Sequence, residues 1–241
     1  YGKLQALRLP KQQHGNQIMP SLPPILDEEL AFFLGYFAGD GFFAQSEHDH
    51  RIGVSVAHTS YLMESMPEML ERLFSVNIHA QQKENDRSVT FVIDNRAVKD
   101  FLTINGFHKA TSKKVRVPRK IRQSPPEIVG AYLRGLFEAD GTITHGYPTL
   151  TTSSAELARE VATLLIGLGS PVKIRTVAAG VDRYGDTERY DVRIISSIGL
   201  RAWRENISCD QRSRFVVAHA WEVDERRESS YALPNPTYWL N

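Results

Sequence analysis

One cysteine in 241 residues leaves no partner for an internal disulfide and too few thiols for a cysteine-built zinc site. Cys209 reads as a small apolar interior residue. Long apolar runs are missing as well. The longest, residues 30–39, reaches about half of the ~20 residues that a membrane-spanning helix needs. No basic segment followed by an apolar stretch opens the chain, so the expectation is a soluble intracellular protein with no membrane partner. Net charge is also nearly absent, at +1 from 29 basic and 28 acidic residues. What is present, 41% apolar and 10% aromatic residues, is enough to bury a core and excludes disorder as the main state. The length suits one large domain or two small ones.

The near-neutral total hides segregation. Residues 1–26 carry Lys3, Arg8 and Lys11 without an acid, and seven Lys/Arg lie between Phe101 and Pro126, again without one. Acids gather in Asp27-Glu28-Glu29 and around 222–228. Such blocks either make a basic face that attracts polyanions or are two solvated linkers.

An internal repeat organises the rest. Phe33-Leu-Gly-Tyr-Phe-Ala-Gly-Asp-Gly41 answers Leu133-Arg-Gly-Leu-Phe-Glu-Ala-Asp-Gly141, with Asp40 and Asp140 100 residues apart. Each copy closes an apolar helical stretch. The first starts at Asp27, a good N-cap with acids in the first turn, and the second at Ser124-Pro125-Pro126-Glu127. Both helices are expected to stop at the glycine after the aspartate. Each is followed by strands (42–44 and 51–58; 142–144 and 149–152), a helix (60–74, with Pro67 as a kink or late start; 154–168), and two more strands (76–83 and 88–94; 172–177 and 189–195). A closing helix ends each half (96–105; 197–206). The expected class is α+β, an αββαββα unit present twice.

The boundaries follow: an extended arm over 1–26 placed to track phosphates, a first half over 27–106, a basic linker over 107–124, and a second half over 125–228 with a further helix from 211. A tail over 229–241 completes the chain. In the later strands of each half, side chains alternate between apolar and polar, the pattern of a sheet with one packed and one wet face. Along the repeated helices small residues recur one turn apart, Gly35 and Gly39 in one and Gly135 and Ala139 in the other. Such stripes allow backbone-to-backbone packing, as in small-x-x-x-small helix pairs. Parallel packing would bring Asp40 and Asp140 together at two helix C-termini, which already carry partial negative charge. Oxygen donors gathered in that way ask for a hard cation such as Mg²⁺.

The repeated nine-residue segments closely resemble the LAGLIDADG motif, and residues 27–215 resemble a monomeric two-motif LAGLIDADG homing endonuclease. The stretch 106–118 is similar to linkers of intein-associated members. The resemblance implies a pseudo-twofold fold with the motif helices at its centre and antiparallel β-saddles lying on double-stranded DNA. It implies cleavage of both strands across the minor groove of a long asymmetric target, using Mg²⁺, with Mn²⁺ able to substitute and Ca²⁺ binding without cleavage. On it, Asp40, Gly41, Asp140 and Gly141 correspond to the metal site. Basic residues near the metals fall among Lys109, Lys113 and Lys114 in the first half and Arg212 and Arg214 in the second. Lys114 and Arg214 share a 74-residue offset from their aspartates and are favoured. His58 and Thr152 fall where a water-organising residue ends the second strand. The DNA-facing candidates are Arg51, Ser55, Gln81, Lys83, Thr149, Thr151, Lys173, Arg175, Arg189 and Arg193.

In the first motif Ala38 stands where the consensus carries an acid, while Glu138 keeps it. Other readings are a non-cleaving relative (an intron maturase or a transcription regulator) and a self-splicing intein, for which Tyr1 is not the needed Cys or Ser nucleophile. The run Glu47-His48-Asp49-His50 offers a separate metal-binding possibility.

Overall fold

A computed structural model describes residues 2–5, 19–46, 48–82, 84, 86–109, 111–180, 187–207, 213 and 215. The element order is α1 (Glu28–Asp40), β1 (Gly41–Phe43), β2 (Arg51–Ala57), α2 (Leu62–Phe74), β3 (His79–Gln81), β4 (Ser88–Asp94) and α3 (Arg96–Ile104). After α4 (Arg119–Arg122) come α5 (Pro126–Asp140), β5 (Gly141–Thr144), β6 (Tyr147–Thr152), α6 (Ala155–Gly167), β7 (Val172–Val177), β8 (Arg189–Ile194) and α7 (Ser197–Ile207). The α+β duplication is therefore present, with two antiparallel four-stranded sheets of identical order, β1-β2-β4-β3 and β5-β6-β8-β7.

Asp27 caps α1, its carboxylate accepting the Leu30 amide at 2.9 Å. Residues 30–37 are all buried, as an apolar helix at the centre must be. The start of α5 differs from expectation. Ser124 does not cap it; its hydroxyl donates to the Lys120 carbonyl at 2.7 Å and closes α4 instead. Pro126 sits in the first turn of α5, where its missing amide costs nothing.

Each sheet lays one face on its half's helices. In the first, Ile52, Val54, Val56, Phe91 and Ile93 point inward; in the second, Leu150, Val192 and Ile194 do. Aromatic clusters fill the two cores, Phe33 with Phe37 and Phe74, and Phe137 with Trp203 and Phe215. Two strands depart from the sequence expectation. The pairing of β3 covers only three residues at a sheet edge, and β6 begins at Tyr147 rather than Thr149. The β5–β6 turn is the pair His145-Gly146, both at positive φ (51° and 79°), a left-handed turn that matches strand twist. Pro148 is tolerated inside β6 because pairing to β8 begins one residue later, at Thr149 opposite Arg193.

The 107–124 stretch is not a free basic linker. Val115, Val117 and Ile121 are buried. Glu160 of α6 accepts from Arg116 at 2.8 Å and from the Val117 amide at 2.8 Å, and Arg122 lies 3.4 Å from it. Two of its seven positive charges are thus spent on one nearly buried acid. At the other end, residues 2–5 do not extend outward. Gln5 exchanges hydrogen bonds with the Asn105 side chain, and Lys3 bridges Ile25. Residues 6–18, Cys209, the helix expected from 211 and the tail lie outside the described residues. No helix among the described residues is long and apolar enough to cross a membrane.

Candidate metal centre and nucleic-acid interface

The two motif helices pack on their backbones. A Cβ on Gly35 would lie 1.9 Å from the Tyr132 carbonyl oxygen, and one on Gly135 2.0 Å from that of Phe32. One turn further on, a Cβ on Gly39 would lie 2.5 Å from that of Ala139 and 3.0 Å from Asp140 Oδ2. Contacts advance in the same direction along both helices, so α1 and α5 run parallel and their C-termini meet. Asp40 is exposed and Asp140 half-buried at that junction.

Both helices end at Gly41 and Gly141, as expected, and do so without a left-handed cap. Both glycines are extended (φ −84° and −85°) and open β1 and β5. Glycine is required there by crowding: a Cβ would approach the Phe37 and Phe137 carbonyls to 2.3 and 2.5 Å. This close approach carries the chain from each aspartate straight into its sheet.

The lysine at this junction is Lys109. Its ammonium donates to the Gly39 carbonyl at the end of α1. Burial holds its pKa below the usual 10.5, while the charges of Asp140 and Asp40 act in the opposite direction. Lys114, favoured by sequence offset, is exposed on the rim of a depression that also holds Lys99 and Lys109. Arg214 lies outside the described residues. Glu138 is buried and, with Asp40, lines a cavity of about 260 Å³ whose other wall is Ala57, Thr59, Ser60 and Tyr61.

His58 is exposed, its Nε2 3.0 Å from Gln82 Nε2. Thr152 lies on the packed side of its sheet, where its hydroxyl accepts the Ser154 amide at 3.2 Å and so turns the chain into α6. The two do not hold equivalent positions. Gly41 pairs with Val54 and Gly141 with Leu150, so Thr152 corresponds to Val56. Thr59 and Ser60, just beyond the end of β2, line the same cavity as Asp40, and no sequence signal singled them out.

Among the described residues no group of three or more His, Cys, Asp or Glu is placed to hold a metal ion, His48, Asp49 and His50 included; Glu47 lies outside the described residues. Asp49 instead takes a bidentate bond from Arg51, which holds its carboxyl well below the usual carboxylate range. The side-chain donors at the helix junction are the oxygens of two carboxylates, Asp40 and Asp140. They fit a hard divalent cation that takes its remaining ligands from water and substrate, not a soft or fully caged metal.

The wet faces of the sheets follow from register. Arg51, Ser55, Thr90 and Gln81 share one side of the first sheet with Phe42 and His79. Thr149, Thr151, Asp191, Arg189, Arg193, Lys173 and Arg175 share one side of the second, but Thr149, expected to face DNA, is buried there with its hydroxyl donating to the Tyr147 carbonyl at 3.2 Å. Strand alternation already puts His79 and Asp191 on the polar side, though neither is among the expected DNA-facing residues; Thr90 is revealed only by its pairing. Lys83 lies outside the described residues.

The family profile of the LAGLIDADG-like domain matches the chain twice, over residues 27–106 and 127–208. Among curated proteins the chain is 28% identical over 191 residues to a replication factor C small subunit of Methanocaldococcus jannaschii, spanning 78% of this chain and 10% of that protein. It is 29% identical over 175 residues to an A-type ATP synthase subunit of Pyrococcus abyssi, spanning 70% and 16%. With the replicative DNA helicase DnaB of Rhodothermus marinus it shares 26% over 219 residues, spanning 84% and 22%. The chain thus spans between a tenth and about a fifth of these relatives. Among solved structures, the homing endonuclease I-DmoI in complex with its target DNA and Mn superposes with a TM-score of 0.54 at 16% identity, covering 76% of this chain and 97% of that one. The N-terminal LAGLIDADG domain of DUF199/WhiA gives 0.50 at 14% identity, covering 80% and 86%. Both likenesses are of fold.

Proposed function

The chain belongs to the LAGLIDADG-like domain family, and from that membership we propose that it is a site-specific endonuclease of double-stranded DNA, acting as a monomer. The observation that carries the reading is the junction of α1 and α5, where two aspartates meet at two negative helix ends beside one half-buried lysine. A DNA-binding regulator of this fold has no need of that concentration of acid, whereas phosphodiester hydrolysis does.

Asp40 and Asp140, with the carbonyls of Gly41 and Gly141, would hold Mg²⁺, and Mn²⁺ fits the same oxygen donors. When bound, the cation activates water and stabilises charge on the leaving oxygen. Lys109, anchored on the Gly39 carbonyl, holds a positive charge within reach of both aspartates and of a phosphate drawn to them. The wet faces of the sheets supply Arg51, Ser55 and Gln81 on one side, and Thr151, Lys173, Arg175, Arg189 and Arg193 on the other, for contact with the major groove. The curated relatives have unrelated activities, yet each matches over a small fraction of its length. That pattern supports an origin as an element inserted into a host protein, an intein-type endonuclease domain.

The test is cleavage of a randomised duplex library with cut ends captured and sequenced, in Mg²⁺, Mn²⁺ and Ca²⁺. Wild type should cut one long site on both strands in Mg²⁺ and Mn²⁺ and bind it uncut in Ca²⁺. Asp40→Asn and Asp140→Asn should each lower cutting by at least the roughly 10- to 100-fold that loss of a metal site's supporting partner costs. Site enrichment without cut ends under any metal would instead assign the chain to the non-cleaving, regulator or maturase, branch of the fold.

A further inference from the structure

The strand registers set residue equivalences between the two halves. Ser55 corresponds to Thr151, its partner Thr90 to Asp191, and the next strand's Gln81 to Arg175. In both halves the central pair is joined through side chains: Ser55 Oγ lies 3.0 Å from Thr90 Oγ1, and Thr151 Oγ1 donates to Asp191 Oδ1 at 2.9 Å. The first triplet is neutral. The second sets a carboxylate beside a guanidinium.

Asp191 lines a depression of about 420 Å³ on the wet face, together with Lys173, Arg175 and Arg193. Among the described residues none of these four takes part in an ion pair. A carboxylate has the wrong sign for a phosphate, so against DNA it gains only from a donor on a base edge. In the major groove those donors are the amino groups of cytosine and adenine. Thr151 uses one carboxylate oxygen and leaves Oδ2 to accept. Arg175, opposite Asp191 on the neighbouring strand, matches O6 and N7 of guanine. Cross-strand neighbours of this kind are about 4.5–5.5 Å apart at Cβ, which is within the span of one base-pair edge. Only a C·G pair presents the amine and the guanine acceptors side by side.

Resting on the endonuclease reading above, we propose that Asp191 and Arg175 together read a single C·G pair in the half-site covered by the second sheet. The neutral Ser55–Thr90–Gln81 triplet has no such preference, so the target is asymmetric at this pair of related positions.

The experiment is selection of bound duplexes from a randomised library in Ca²⁺, with wild type, Asp191→Ala, Asp191→Asn and Arg175→Ala. Wild type should recover one site with C·G fixed at one position of one arm. Asp191→Ala and Arg175→Ala should both relax that same position, lowering its discrimination by roughly 5- to 100-fold, the range of one good base contact, and leave the rest of the site unchanged. Asp191→Asn should shift the position toward A·T, because an amide pairs with adenine N6 and N7. It is isosteric, and a thermal melt confirms its fold should the alanine variant not fold. An unchanged profile in Asp191→Asn, or two variants that relax different positions, would overturn the inference while leaving the endonuclease standing. Failure of wild type to recover any site would remove the function and the inference together.

Discussion

Lys109 illustrates how a single residue can be placed by the fold and not by its spacing. Lys114 has the sequence offset that matches Arg214, yet the chain leaving α3 folds back so that Lys109 reaches the Gly39 carbonyl. Removing it should lower cleavage by roughly 10²–10³-fold, the usual cost of one preorganised charge at a reacting phosphate or carbonyl, without unfolding the protein. Its titration gives a second readout. Burial lowers its folded pKa below 10.5, so between the two values the unfolded chain binds more protons. In metal-free protein, stability should therefore rise as pH climbs through that window toward 10.5. Lys109→Met should abolish the rise, measured by chemical denaturation across the series. The motif aspartates were legible because the pattern occurs twice. The lysine was not, because which of three neighbouring lysines (Lys109, Lys113, Lys114) turns inward depends on a backbone path without periodicity.

At the scale of elements, the α1–α5 contact and the α6 clamp hold the site together. Gly35→Ala or Gly135→Ala drives a methyl into a carbonyl about 2 Å away, in a backbone that has no side chain to move aside. Overpacking of this kind costs about 1–3 kcal/mol or more, well beyond the roughly 1 kcal/mol that alanine gains in a helix. Gly167→Ala, at the open end of α6 with no atom near its would-be Cβ, should be neutral or slightly stabilising in the same thermal melt. Glu160→Ala removes the acceptor of Arg116 and of the Val117 amide and should destabilise by roughly 1.5–3 kcal/mol. Small-residue spacing and strand alternation announced the helix contact and the sheet faces. Nothing in the basic run over 107–124 announced Glu160, because its acid comes from a helix more than thirty-five residues later in the chain. Likewise the early start of β6 was obscured by Pro148, which is harmless only because one strand edge is still unpaired there.

Over the whole molecule, the duplication makes the two sheets equivalent in order and register but not in chemistry. The first sheet's wet face carries Ser55, Thr90 and Gln81 where the second carries Thr151, Asp191 and Arg175. A net charge of +1 is compatible with a polyanion partner because acids such as Glu29 and Glu160 are spent on arginines away from these faces. The central seam also has a consequence for biosynthesis. Helix α1 leaves the ribosome before α5, and its glycine stripe closes only on α5, whose end lies 100 residues later. At about 5–20 residues per second, that stripe waits roughly 5–20 s without its mate. A chain stopped at residue 123 should therefore self-associate in sedimentation velocity, and the full chain should sediment as one copy. A nascent first half meeting a second nascent copy before its own α5 emerges is the assembly error this gene most needs to outrun.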